Sequence, residues 1–172
     1  ILDQTGFLTW LLHGVTGSGK TEVYLNLIEK VIANHQQVLV LVPEINLTPQ
    51  LEARFLARFS HVKIVILHSY LTELERLRHW QEARQGQAKI IIGTRLAVFT
   101  PIKSLGMIIV DEEHDASFKQ QDGIRFNARD MAVLRGQCEQ IHVILSSATP
   151  SLETILNCKI EKYKRVDITR RY

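Results

Sequence analysis

Cysteine is scarce in this chain, which has only Cys138 and Cys158 among its 172 residues. The two do not form a C-x-x-C pair, so neither a zinc site nor a disulfide framework is indicated. We expect each to be a partly buried thiol.

Long apolar runs, internal repeats and low-complexity segments are also missing. Because no apolar run approaches the ~20 residues of a membrane-spanning helix, we expect no membrane contact and a cytoplasmic protein. Charge of neither sign dominates, because the 21 Lys and Arg residues nearly balance the 18 Asp and Glu residues and leave a net charge of +3. That mildly basic balance is compatible with nucleic acid but does not establish it.

The length suits one α/β domain with its own core. The chain begins at Ile1 rather than Met and ends shortly after a segment that reads as a strand or a linker. We therefore expect residues 1–172 to be a single domain cut from a longer protein.

The most informative motif is G-V-T-G-S-G-K-T at residues 14–21, a complete G-x-x-x-x-G-K-[ST] phosphate-binding loop. Its glycines let backbone N–H groups approach phosphate oxygens, and the positive end of the following helix adds to the attraction. The lysine can reach the β/γ-phosphates and the final hydroxyl can ligate Mg²⁺. The residues expected to bind the nucleotide are Gly14, Thr16, Gly17, Ser18, Gly19, Lys20 and Thr21, with Lys20 also catalytic.

Short apolar runs alternate with helical patterns along the chain, which predicts a mostly parallel sheet with helices on both faces. Ligands bind such sheets beyond the carboxyl ends of the strands, where five polar clusters of this chain should converge. The predicted strands are 7–12, 38–42, 63–67, 89–93, 107–110 and 142–146. The predicted helices are the one after the phosphate loop, 48–59, 72–85, 128–138 and 151–158.

An acidic box follows the apolar run at 107–110 and reads Asp111-Glu112-Glu113-His114. In phosphate-loop enzymes an acidic residue here holds Mg²⁺, which fits Asp111, and a neighbouring carboxylate deprotonates the attacking water, which fits Glu112. The alternative is a helix start enriched in acids. We expect Glu113 to be exposed.

His114 is either a surface histidine or a coupling residue that hydrogen-bonds the loop containing Ser147 and Thr149. Those two hydroxyls would otherwise be interpreted as a cap for the helix at 151–158.

Taken together, these blocks resemble the first motor lobe of a superfamily 2 helicase, and within that group the PriA family of replication-restart helicases. The resemblance is carried by GVTGSGKTEVY, LVPEINLTPQ, HSYLTELERL, IGTRLAVFTP, IIVDEEHDASFKQQ and SATPSLE. It implies a RecA-like ATP-binding lobe of a 3′→5′ DNA helicase that uses ATP and Mg²⁺ at stalled forks. The implied partners are single-stranded and forked DNA, a second RecA-like lobe, other primosome proteins and single-strand-binding protein.

The resemblance also implies a DNA-side surface. One motif supplies Pro43, Glu44, Thr48 and Gln50, and another supplies Thr94 and Arg95. An aromatic-rich loop supplies Phe118, Lys119, Arg125 and Phe126, with Arg129 at its end, a mixture suited to base stacking and phosphate attraction. The alternatives are a solvated charge for Arg95 and core packing for the two phenylalanines. The chain departs from the family pattern at Asn46, Tyr70, Ile124 and Ser146.

The second lobe, which would supply an arginine finger, and the family's zinc-binding and amino-terminal DNA-binding domains have no counterpart in these 172 residues. We therefore expect the isolated chain to bind ATP weakly and to hydrolyse it negligibly. Three other functions stay open at this stage: a RecG-like translocase, a small-molecule kinase with the same loop, and a non-catalytic docking module. A kinase lid rich in arginine is not evident, apart from Arg170 and Arg171.

Overall fold

The computed structural model describes residue 1 and residues 6–169, without the side chain of residue 45. Arg170 and Arg171 lie outside the described residues. Within the described residues, seven parallel strands form one sheet in the order β3-β4-β2-β5-β8-β1-β9. These strands are β1 Thr9–Gly14, β2 Gln37–Leu41, β3 Lys63–Leu67, β4 Ala88–Gly93, β5 Leu105–Val110, β8 His142–Ser147 and β9 Lys164–Ile168. Two-residue strands β6 Lys119–Gln120 and β7 Phe126–Asn127 pair antiparallel as a separate hairpin.

In the part of the chain that the structure describes, five α-helices connect the strands: α1 Lys20–Ala33, α2 Pro49–Arg58, α3 Glu73–Arg84, α4 Ala128–Glu139 and α5 Leu152–Lys159. Their starts follow from sequence. Thr72 caps α3 in a complete capping box with Glu75, and Ser151 caps α5 by accepting the Thr154 N–H. Such caps satisfy backbone donors that have no partner within the helix.

Strand residues alternate between two apolar layers, one on each face of the sheet. In β2, Leu39 and Leu41 pack with Ala128 and Ala132 of α4, whereas Val38 and Val40 pack with residues of α1 and α2 such as Phe55. Both faces of the central strands are thus buried, which explains why β2 is continuously apolar after its first residue, whereas the edge strand β9 is mostly polar and exposed. The predicted α/β fold, a parallel sheet with helices on both faces, is confirmed.

Element bounds differ little from the predictions, with three exceptions. The first strand lies at Thr9–Gly14, two residues later than the predicted run, and β5 begins at Leu105, two residues earlier than predicted. The hairpin β6–β7 was not predicted. Because all strands of the main sheet are parallel, the carboxyl ends of β1, β2, β4, β5 and β8 lie at one edge. The predicted convergence of five polar clusters is therefore confirmed.

Two smaller observations complete the fold. Cys158 is partly buried, and burial raises the pKa of its thiol, but Cys138 is exposed in the last turn of α4, so its predicted burial is wrong. Among the described residues, no helix has the length and apolar character needed to cross a bilayer.

Candidate functional site

The phosphate-binding loop has the backbone that its glycines permit. Gly17 and Gly19 have φ values of 77° and 90°, a region that residues with a side chain rarely adopt. A Cβ at Gly14 would lie 2.5 Å from the Ser18 Oγ and 3.0 Å from the carbonyl oxygen of Ile168. Position 14 therefore requires glycine for packing, while positions 17 and 19 require it for backbone conformation.

Polar groups of the loop are positioned to receive an anion. The Lys20 Nζ is buried and donates to the carbonyl oxygens of Gly14 at 2.7 Å and Val15 at 3.3 Å. The Ser18 hydroxyl is buried and has no hydrogen-bond partner among the described residues. Lys20 and Thr21 open α1, where free N–H groups and the helix dipole favour negative charge. These features fit a nucleotide phosphate.

Asp111 stands at the end of β5 and is held from two sides. Its N–H donates to the Leu41 carbonyl at 2.9 Å, and its Oδ2 accepts from the Tyr24 hydroxyl at 3.3 Å. Burial raises the pKa of Tyr24, and the charge of Asp111 raises it further, so the phenol stays protonated and remains a donor. The carboxylate is thus fixed in the position expected of a Mg²⁺ ligand.

Glu112 is half-buried beside the loop, at a left-handed backbone conformation with φ of 47°. Burial raises the pKa of its carboxyl group, and the adjacent charge of Asp111 adds to that rise. Lys20, His114 and an Ala148 N–H bond oppose the shift. A carboxylate with a raised pKa is a stronger base, as the predicted role requires.

The loop and the acidic box line one cleft of about 670 Å³ at the carboxyl edge of the sheet. Two arginines of α2, Arg54 and Arg58, also line it, and sequence reasoning missed both. Arg58 is anchored by Glu29 at 2.7 Å and Glu22 at 3.3 Å. The sequence did contain a sign of this pair, because the two arginines are four residues apart and therefore lie on one side of α2.

His114 makes the predicted link to the loop after β8. Its Nδ1 lies 2.8 Å from the Ser147 Oγ, and its Nε2 lies 3.2 Å from the Thr149 Oγ1. The Thr149 N–H also donates to the Ser147 Oγ at 3.0 Å. The same Nδ1 is 3.7 Å from the Glu112 Oε2, so the imidazole lies between the proposed base and this loop. Whether these contacts couple function stays a prediction.

Glu113 is buried, and the expectation that it is exposed is wrong. Its side chain has no exposed surface and accepts bonds from Ser151, Thr154 and Arg129. Arg129 is buried too, and its guanidinium donates to this carboxylate at 3.2 Å, to the Ser151 hydroxyl at 2.7 Å and to the exposed Asp130 at 2.8 Å. The sequence gives no sign of this pairing, because Glu113 and Arg129 are 16 residues apart and only the fold brings them together.

The residues after β2 and β4 that are predicted to contact DNA are only partly accessible. Glu44 and Gln50 are exposed, and the Thr48 hydroxyl caps α2 by accepting the Leu51 N–H at 3.3 Å. Pro43 and Thr94 are buried in this conformation, and their contacts with DNA stay predictions.

Arg95 is half-buried, and its Nη1 donates to the Ser117 carbonyl at 3.2 Å. The guanidinium therefore joins the loop after β4 to the segment just before Phe118. It is neither a fully solvated charge nor a free phosphate ligand, and its Nε is buried without a hydrogen-bond partner among the described residues.

The aromatic-rich loop forms the hairpin β6–β7. Phe118 is 1% exposed and belongs to the apolar core, so its predicted role in base stacking is wrong. Phe126 is half-buried and packs edge-to-face on Phe99, with ring centroids 5.0 Å apart. Lys119 and Arg125 are exposed, and both stay predicted DNA contacts.

The four departures from the family pattern lie in different environments. Tyr70 and Ile124 are 92% and 87% exposed, and Asn46 is also exposed. Ser146 is fully buried in β8, and its hydroxyl has no hydrogen-bond partner among the described residues.

Comparison with known proteins places this geometry in a family. Residues 5–158 match the model of the DEAD/DEAH box helicases. The chain belongs to this family. Helicase domains of this family bind nucleotide, in agreement with the phosphate loop and the acidic box, and membership argues against a small-molecule kinase.

Among sequence relatives of this helicase domain is the replication restart protein PriA of Haemophilus influenzae, 54% identical over 99% of the chain. The PriA of Bacillus subtilis is 42% identical, also over 99%. The chain spans 23% and 21% of these two relatives, about a fifth of their length.

Solved structures with this fold include RecG bound to a three-way DNA junction, with a TM-score of 0.65 and 23% identity. That likeness covers 92% of this chain and 20% of RecG. Mss116p bound to single-stranded RNA and AMP-PNP has a TM-score of 0.67 and 11% identity, over 92% of this chain and 32% of Mss116p. At these identities the likeness shows the fold alone, a RecA-like helicase domain.

Proposed function

We propose that residues 1–172 form the ATP-binding first motor lobe of a 3′→5′ DNA helicase that acts in replication restart at stalled forks. The observation that carries the proposal is the cleft in which Lys20, Asp111 and Glu112 meet at one sheet edge. The replication-restart role and the polarity rest on the resemblance to PriA, of which this chain matches about a fifth.

The proposed ligand is ATP with Mg²⁺. Lys20 would leave the carbonyl oxygens of Gly14 and Val15 to meet the β/γ-phosphates, and the loop N–H groups would hold the remaining oxygens. Thr21 and Asp111 would hold Mg²⁺, which neutralises charge on the phosphates. Glu112 would accept the proton of the attacking water.

The proposed nucleic-acid surface lies along the same sheet edge and continues onto the hairpin β6–β7. Lys119 and Arg125 are exposed there, and Arg95 ties that region to the loop after β4. Contacts of this kind attract the phosphate backbone and do not distinguish base sequence. The proposed ligands are therefore single-stranded and forked DNA.

A complete site would need a second RecA-like lobe of the parent polypeptide, which would supply an arginine finger worth ~10³–10⁵ in rate. We accordingly propose that this chain alone turns ATP over negligibly. Other primosome proteins and single-strand-binding protein are the proposed partners of the parent, in the bacterial cytoplasm.

The test is ATP hydrolysis by the full-length parent with and without single-stranded DNA. We expect DNA to stimulate hydrolysis, with release of inorganic phosphate and no phosphorylated small molecule. Lys20→Ala should abolish turnover. Lys30→Ala is the matched control, because Lys30 is exposed in the last turn of α1, away from the cleft. Hydrolysis that DNA does not change, or that survives Lys20→Ala, would contradict the proposal.

A further inference from the structure

The third carboxylate of the acidic box is the centre of a buried polar cluster, which we define as Glu113, Arg129, Ser151 and Thr154. The Glu113 Oε1 accepts the Ser151 N–H at 2.7 Å. Its Oε2 accepts the Ser151 hydroxyl at 3.0 Å, the Thr154 hydroxyl at 3.1 Å and the Arg129 Nη1 at 3.2 Å. A buried carboxylate that accepts four hydrogen bonds is held in one position, because moving it would break bonds that water cannot replace there.

The cluster connects three segments that are distant in the chain. Arg129 lies in the first turn of α4, two residues after the last strand residue of the hairpin, Asn127, whose side chain caps that helix. Ser151 caps α5, two residues after Thr149. Glu113 therefore joins the base of the hairpin and the end of the loop after β8 to the acidic box.

Neighbouring carboxylates of the box have different surroundings. Glu112 lines the nucleotide cleft, whereas Glu113 accepts bonds from α4 and α5. The Glu113 N–H donates to the Ser146 carbonyl at 3.0 Å. This bond fixes the peptide unit that joins Glu112 to Glu113 against the end of β8. Glu112 and Glu113 share that peptide unit, so the position that α4 gives to the Glu113 side chain constrains the backbone of Glu112.

We infer that Glu113 is a positioning residue that transmits occupancy of the hairpin to the nucleotide cleft through Arg129. The inference rests on the proposed function, in which the hairpin contacts DNA and Glu112 activates water. Glu113 touches neither DNA nor nucleotide, so its effect is on the coupling between the two sites rather than on binding to either.

The test uses Glu113→Gln in the full-length parent. Glutamine keeps the shape of the side chain but has one acceptor oxygen where the carboxylate has two, so the four donors cannot all be satisfied. We expect maximal stimulation of ATP hydrolysis by single-stranded DNA to fall about tenfold. The rate without DNA and the DNA concentration for half-maximal stimulation should stay within about twofold of the wild type.

Two variants serve as controls. Glu153→Gln removes an exposed carboxylate 3.9 Å from the same Arg129 Nη1 and should leave stimulation unchanged. Arg125→Ala, on the exposed part of the hairpin, should raise the DNA concentration for half-maximal stimulation while the maximum is kept. The inference would be overturned if DNA stimulated Glu113→Gln fully. It would also be overturned if the rates of ATP hydrolysis with and without DNA fell by the same factor in this variant.

A second measurement does not depend on DNA. Amide hydrogen exchange over residues 119–127 is compared with and without AMP-PNP. We expect the nucleotide to change exchange in the wild type and in Glu153→Gln but not in Glu113→Gln. An equal response in wild type and Glu113→Gln, or no response in the wild type, would overturn the inference. A wild-type ATPase that DNA does not stimulate, beside a normal exchange result, would instead count against the proposed DNA motor.

Discussion

The imidazole of His114 lies 2.8 Å, Nδ1 to Oγ, from the hydroxyl of Ser147, across two adjacent parallel strands. The bond joins the turn after β5, which contains Glu112, to the loop after β8. The other ring nitrogen lies 3.2 Å from the Thr149 Oγ1, so both ring nitrogens contact this loop, while part of the side chain stays exposed to solvent.

Replacing His114 by alanine removes both contacts of the ring. We expect nucleotide affinity to be kept within about twofold, because His114 does not line the cleft, while DNA-stimulated ATP hydrolysis falls about tenfold through lost coupling. The measurement is steady-state ATPase of the full-length parent over a DNA titration. His61→Ala, at an exposed histidine, is the control. Unchanged stimulation in His114→Ala would show that the contacts are only structural.

The pH dependence of turnover should report Glu112. Burial and the neighbouring Asp111 raise the pKa of its carboxyl group above the usual 4.5, and only the ionised form can accept a proton. Turnover should therefore decline as pH falls through this raised pKa, at a higher pH than an exposed glutamate would titrate. We would measure kcat between about pH 4.5 and 8 with circular dichroism as a check on folding. A constant kcat over that range in the folded enzyme would contradict the assignment.

Core packing of Phe118 predicts a large loss of stability on truncation. Phe118→Ala should lower the free energy of unfolding by about 3–5 kcal/mol, because it leaves a cavity beside a fully buried ring position. Ile124→Ala, at the exposed end of the hairpin, should change it by less than about 0.5 kcal/mol. Urea unfolding of both variants decides the matter. Similar stability of the two would mean that Phe118 is not part of the core.

Arg125 should contribute to DNA affinity without contributing to sequence preference. Arg125→Ala should weaken binding of unrelated single strands by a similar factor and reduce the slope of log K against log salt by about 1. The measurement is fluorescence anisotropy at several salt concentrations. Lys30→Ala, at the opposite end of α1 from the cleft, is the matched charge control. An equal loss in both variants would indicate a general charge effect rather than a contact.

Much of the fold was predictable because the strands are buried on both faces. A run such as Val38 to Val42 has no polar residue, and the phosphate loop supplies a fixed point from which the sheet edge can be located. The hairpin was not predictable by the same reasoning, since strands of two residues have no periodicity to detect.

The meeting of Lys20 and Asp111 in one cleft was predictable, because each lies in a short motif at the end of a strand. A contact was not predictable where the partner is distant in sequence. Glu113 resembles Glu112 in local context, and only the packing of α4 and α5 gives it Arg129 and Ser151 as donors. The prediction that Phe118 stacks on bases failed for the same reason. A phenylalanine in a polar segment gives no local sign that it packs into the core.

The central claim is that this cleft drives a DNA motor, and unwinding of a forked duplex by the full-length parent tests it most directly. We expect ATP-dependent strand separation in the wild type. Glu112→Gln should still bind ATP, yet unwind at least about a hundredfold more slowly, because the base is lost while Lys20 and the loop remain. Unwinding without ATP, or a Glu112→Gln variant that unwinds at the wild-type rate, would contradict the account.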